Sequence, residues 1–141
     1  MNIGIIFAII AALAFGIWTV FHQQATAHVN PLFGAIIVSL TAAILGFLIL
    51  LPQIGSLTLY TNSKGIIFAV LAGLCALAID FFALKAYGTG LQISLGGPLI
   101  IGGGVAVAAF IGLLMGDSMN IQKIIGLAFT IIGSALLAAS V

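Results

Sequence analysis

The sequence predicts an all-α integral membrane protein with five transmembrane helices. Three observations carry that expectation. Hydrophobic residues make up 64% of the chain and charged residues 4%, mean hydropathy is +1.46, and five separate runs reach the about 20 apolar residues that a helix needs to cross a bilayer core. A soluble domain of ordinary make-up carries roughly a quarter charged residues. Three basic and two acidic side chains cannot clothe 141 residues in water. Lipid is therefore the expected solvent, with a single transmembrane domain over 1–141.

The first run covers about residues 3–21. It lacks the basic flank of a cleaved signal peptide, so although Ala25-Thr26-Ala27 resembles a cleavage site, a first membrane helix is the preferred reading. His22 to Asn30 forms the polar break that follows. Asn30-Pro31 then offers a good N-cap and a proline at the first helical position, opening a second run over about 32–51. Pro52 to Lys64 reads as a loop through its Pro, Gly, Ser, Thr and Asn. The third run, about 65–87, closes at Gly88-Thr89-Gly90, and the fourth, about 93–115, closes at Gly116 to Asn120. The fifth occupies about 121–141. Trp18, Tyr60 and Tyr87 fall near the expected interfaces, where amphipathic rings sit.

Composition also excludes functions. A net charge of +1 leaves no basic patch for nucleic acid. The one cysteine, Cys75, lies in an apolar run and allows no intrachain disulfide. No nucleophile–base pair, metal-ligand cluster or phosphate-binding loop is apparent, so neither an enzyme nor a cofactor or metal is expected. Gly102 to Gly104 lies within a span and is no nucleotide fingerprint.

Orientation is nearly balanced. With five spans, the N-terminal amine, Lys64 and Lys123 share one side, and Lys85 with His22 and His28 the other. The positive-inside rule works on larger differences than this. Two readings stay open: a weak preference for one orientation, or insertion both ways round. The second would let two copies pair antiparallel about an axis in the membrane plane, the symmetry of inverted-repeat transporters.

The third span carries the most chemistry. Ala69, Gly73, Ala76, Asp80, Leu84 and Tyr87 form one small and polar stripe expected to face the bundle interior, with Leu71, Leu74 and Phe81 turned to lipid. Asp80 lies about four residues from the span centre, roughly 6 Å from the midplane. A carboxylate there costs about 2.5–3.5 kcal/mol on insertion scales. It is read as a site for a proton or cationic group, with an ion pair to Lys85 or a shallower position as alternatives. Lys85 is poorly aimed for the pair, five residues on around the helix, and its stem can snorkel to the headgroups.

In the first span, Gly4, Ala8, Ala11, Phe15, Trp18 and His22 make a second stripe that widens from small residues to rings. Trp18 and His22, one turn apart, are candidates for the wall and polar tip of a cavity, against interface anchoring for Trp18 and a solvated loop position for His22. The fourth span holds Gly96, Gly97, Pro98, Gly102, Gly103 and Gly104. Pro98 cannot donate a hydrogen bond, so a helix through it is expected to leave a carbonyl free near residue 94, useful in a cavity wall, the one place where an unwound stretch is tolerated. Gly104, Ala108, Gly112 and Gly116 repeat at spacing four, the pattern for close helix approach within one chain or between two copies, as do Gly126 and Gly133 in the last span.

Several of these residues resemble a known family in their order and spacing. Phe15-Gly16-Ile17-Trp18, Asn30-Pro31-Leu32, Phe82-Ala83-Leu84-Lys85-Ala86, Gly97-Pro98-Leu99, and Gly116-Asp117 followed by Gln122-Lys123-Ile124-Ile125-Gly126 are together similar to one repeat of the EamA-like, drug/metabolite transporter superfamily. The resemblance covers nearly the whole chain. It departs at Asp117, where the family usually has Glu and where a cap on the following helix is expected. It departs again in having one five-helix repeat instead of two inverted ones. The resemblance implies a short member in a prokaryotic plasma membrane, working as a homodimer that moves small metabolites or drug-like cations by alternating access. Proton coupling and outward transport are common in the family. The competing reading is a non-transporting membrane subunit that assembles with another membrane protein.

Overall fold

A computed structural model of the chain describes residues 3–60 and 62–140. Val141, given to the last span, and the N-terminal amine used in the orientation argument lie outside the described residues, as does Thr61 in the second loop. The described residues form five α-helices: α1 (Ile3–Thr26), α2 (Pro31–Leu50), α3 (Ser63–Gly88), α4 (Ile93–Leu114) and α5 (Ile121–Ala138). A 3₁₀ turn, Leu51–Gln53, extends α2. All five helices are long and apolar enough to cross a membrane. By these lengths the chain is an all-helical, multi-pass membrane protein.

Local chemistry sets the helix ends. Asn30, Asn62 and Asn120 stand in extended conformation before α2, α3 and α5. Their side-chain oxygens accept from the backbone N–H of Leu32 at 2.9 Å, Lys64 at 2.9 Å and Lys123 at 2.8 Å. Each bond satisfies a donor that the first turn leaves orphaned. Asp117, expected to cap α5, does not; Asn120 does. Asp117 instead completes the end of α4. Its N–H donates to Gly112 O at 2.9 Å, and Gly116 N–H donates to Leu113 O at 3.1 Å. That is the paired pattern of a Schellman end, which needs a left-handed residue at its turn, and Gly116 supplies it with φ +94°.

Two boundaries differ from expectation in ways that matter. The first helix runs to Thr26, five residues past Phe21, because Gln23, Gln24 and Ala25 are good helix formers and no breaker precedes the turn at Ala27. His22 is therefore a helical residue, not a loop residue. The helix also passes through Pro98 without unwinding, so the Gly-Pro pair is no break in α4. Proline's cost in a helix interior comes from a lost bond and a ring clash, and glycines at 96 and 97 relieve crowding before it.

The chain forms two compact units, Met1–Val20 with Gly90–Val141, and Phe21–Thr89. In the second unit α2 packs on α3. Gly34 and Ala35 are buried, and a Cβ on Gly34 would stand 2.8 Å from Leu84 Cδ1 and 3.1 Å from Val29 Cγ2. In the first unit α4 packs on α5 through Gly102, whose Cβ would run into the Ser134 side chain. Ser134 Oγ lies 2.8 Å from Thr130 O and 3.1 Å from Pro98 O, so it ties the two helices at that seam. Small residues that let backbones approach, joined by a hydroxyl, are the usual adhesive between helices in lipid. Elsewhere the apolar side chains face outward, Phe129 at 73% and Leu136 at 68% exposure among them, as lipid-facing residues do.

Candidate functional site

Within the unit Phe21–Thr89, the last turns of α1 and the last third of α3 carry nearly all the buried polar chemistry. The 3.6-residue period puts Asp80, Ala83, Leu84 and Tyr87 on one face of α3, and all four are buried. His22 of α1 meets that face. Its Nε2 lies 3.3 Å from Asp80 Oδ1, with His22 3% and Asp80 7% exposed. The helices touch again further along, where a Cβ on Gly88 would lie 3.8 Å from Thr26 Cβ. A carboxylate and an imidazole from two spans thus share one dry contact. A cavity of about 200 Å³ opens beside it, lined by Phe21, His22, Ala25 and Val29 on one side and by Gly34, Ile37, Val38 and Leu84 on the other. Among the described residues that line it, His22 is the one ionisable group.

The alternative partner for Asp80 is excluded by geometry. Lys85 turns its ammonium over the ring of Phe81, 5.9 Å from the centroid, one turn away. Such a cation–π contact suits a side chain leaving the helix toward the interface. Phe81 is accordingly half-buried rather than fully turned to lipid, whereas Leu71 and Leu74 are exposed. The interior stripe of α3 is also shorter than expected. Ala69, Gly73 and Ala76 are exposed, and burial begins at Asp80.

Tyr87, two turns beyond Asp80, is 3% exposed, and its hydroxyl finds no hydrogen-bond partner among the described residues. A buried hydroxyl left so costs about 1–3 kcal/mol. In the other unit, Trp18 is half-buried and stacks at a tilt on Phe15, with centroids 5.0 Å apart. Thr19, which sequence reasoning passed over, is 4% exposed and donates to Gly16 O at 2.7 Å within its own helix. Pro98 is half-buried, with its carbonyl turned to Ser134. Gly104 and Ala108 are exposed, with nothing within 4 Å of where a Gly104 Cβ would stand. Gly112 sits under the Asp117 carboxylate, 2.7 Å from a Cβ placed there, and Gly116 forms the turn. The intrachain seam of α4 therefore runs through Gly102 and not through the spacing-four stripe. Among the described residues, no three His, Cys, Asp or Glu side chains gather as metal ligands would.

Five membrane-length helices and a buried carboxylate–imidazole contact define a polytopic membrane protein with a polar site inside its spans. Residues 2–139 match the family model of the EamA-like transporter family. The chain belongs to that family, and is a membrane transporter by family. Comparison with curated proteins and with solved structures gives no match.

Proposed function

We propose that the chain is a secondary transporter that exports small metabolites or small organic cations across a prokaryotic plasma membrane in exchange for protons. It works by alternating access as a homodimer whose two copies lie antiparallel. The observation that carries the reading is the Asp80–His22 contact: two proton-exchanging side chains from different spans, both buried, 3.3 Å apart. Ionisable groups inside membrane spans mark ion and substrate pathways far more often than they serve packing. Asp80 holds either the proton or the cationic group of the substrate, and His22 is the alternative partner for the carboxylate when neither is bound.

The dimer rests on separate support. The expected charge bias is slight, two lysines and the N-terminal amine against one lysine. The first half of α3 exposes Ala69, Gly73 and Ala76, small residues of the kind that admit a neighbouring helix closely.

Transport by purified chain in proteoliposomes under an imposed pH gradient tests the site. Asp80→Asn is expected to abolish gradient-driven flux while the protein still inserts and remains folded. Flux that persists in this variant removes Asp80 from the mechanism, and absence of any flux in the native chain favours a non-transporting subunit.

A further inference from the structure

The end of the α4–α5 hairpin holds a second cavity, unrelated to the Asp80–His22 contact. It measures about 390 Å³ and lies among Ala109 of α4, the connecting residues Asp117, Ser118 and Met119, and Lys123, Gly126 and Leu127 of α5. That volume falls within the roughly 300–1,000 Å³ of small-molecule sites. Its floor is apolar, from Ala109, Gly126 and Leu127, and its rim carries both signs of charge. The connection lies between two spans, so the rim sits at headgroup level while the floor faces the start of the acyl region.

The two charges are held apart. The Schellman end of α4 fixes Asp117, whose carboxylate folds back over Gly112. Lys123 reaches the other way and donates from Nζ to Ser118 O at 2.7 Å. They form no ion pair with each other, and the Asp117 carboxylate has no hydrogen-bond partner or counter-ion among the described residues. Lys123 has three N–H donors, and its one described acceptor leaves two to spare.

We infer that this cavity seats a phospholipid whose headgroup carries both a phosphate and a primary ammonium, as phosphatidylethanolamine does. The ammonium donates to the Asp117 carboxylate, the phosphate accepts from the spare N–H groups of Lys123, and the glycerol and first methylenes cover Ala109, Gly126 and Leu127. A choline headgroup has the same charges but no N–H to give, and a glycerol headgroup has no cation for Asp117. The site therefore discriminates by hydrogen bonding and not by net charge.

The test is native mass spectrometry of the full chain, exchanged from detergent into equal mixtures of phosphatidylethanolamine, phosphatidylcholine and phosphatidylglycerol with identical acyl chains. The native chain is expected to retain the ethanolamine lipid about tenfold over the choline lipid, the ratio one charge-assisted hydrogen bond supplies. Asp117→Asn should bring that ratio near one, and Asp117→Glu should restore it. Lys123→Gln should lower retention of all three lipids together. Equal retention by the native chain, or a preference unchanged in Asp117→Asn, overturns the proposal. Tightest retention of phosphatidylglycerol overturns it too, because that result means attraction to net charge alone. Phosphoethanolamine without acyl chains serves as competitor; displacement of the lipid at equal concentration would make the cavity a site for a soluble zwitterion and equally refute the lipid assignment.

Discussion

A carboxylate and an imidazole buried side by side are expensive to separate and cheap to remove together. Taking one partner from such a pair costs about 3–5 kcal/mol, whereas replacing both by apolar groups of similar volume is often neutral or better. His22→Ala is therefore expected to lower the unfolding free energy, followed by denaturant titration in mixed micelles, by about 3 kcal/mol. The double variant His22→Leu with Asp80→Val should regain most of that loss and still fail to transport. A double variant that is stable and active would make the contact purely structural. Tyr87 offers the complementary case. Its hydroxyl is buried and without a partner among the described residues, so Tyr87→Phe should leave stability unchanged or raise it by about 1 kcal/mol. If that oxygen meets the substrate, the same variant raises KM with little change in the maximal rate. A fall in stability would mean that the hydroxyl is bonded within the chain.

At the level of single helices, the ends and the seams respond to different substitutions. Asn120 stands before α5 as a capping residue, and Asn120→Ala should cost about 1 kcal/mol. The α4–α5 seam has a sharper contrast built in. Gly102→Ala drives a methyl into Ser134, 2.5 Å from its Cβ, an atom no rotamer change can move. The helices must part, at about 1–3 kcal/mol. Gly104→Ala meets nothing within 4 Å and should leave the stability of the chain alone. Thermal unfolding of the two variants side by side checks both expectations. The pair also shows why this seam was hard to read from the sequence. In water a buried face announces itself by apolar periodicity, but in lipid the outward faces are as apolar as the inward ones. Gly102 and Gly104 are two residues apart, roughly 200° around the helix, and both belong to a glycine-rich run with no polar contrast to choose between them. Helix existence, by contrast, was legible from run length, and Asn30-Pro31 announced the start of α2. Asn62 and Asn120 carried the same signal and could have been read in the same way.

Across the whole chain, five spans and membership of a transporter family were within reach of the sequence, because both rest on run lengths and on the order of short motifs. Asp80 was singled out by the cost of its charge. His22 was a candidate for the polar tip of a cavity, but its pairing with Asp80 was not legible, because the first run ends by hydropathy at Phe21 and only the continuation of α1 through Gln23 and Gln24 makes His22 helical. That extension also changes how topology is best probed. Residues 23–26 are helical, so a reporter cysteine belongs at 27–30, paired with one in the 52–60 stretch, after Cys75, which is exposed, has been replaced. Impermeant labelling of both positions in intact cells is the expected result for a chain inserted both ways round. Labelling of one alone ends the antiparallel dimer.

The placement of burial along α3 has a mechanical consequence. The helix starts at Ser63 and is buried only from Asp80 onward, so about 26 Å of it, at 1.5 Å per residue, extends beyond its polar anchor. A rod held near one end is a lever. Rocking it by ten degrees about Asp80 swings the far end by about 4.5 Å, most of the rise of one helical turn. On the proposed mechanism, a change of atomic size in what the carboxylate holds is delivered at the opposite face of the bilayer as a displacement several times larger.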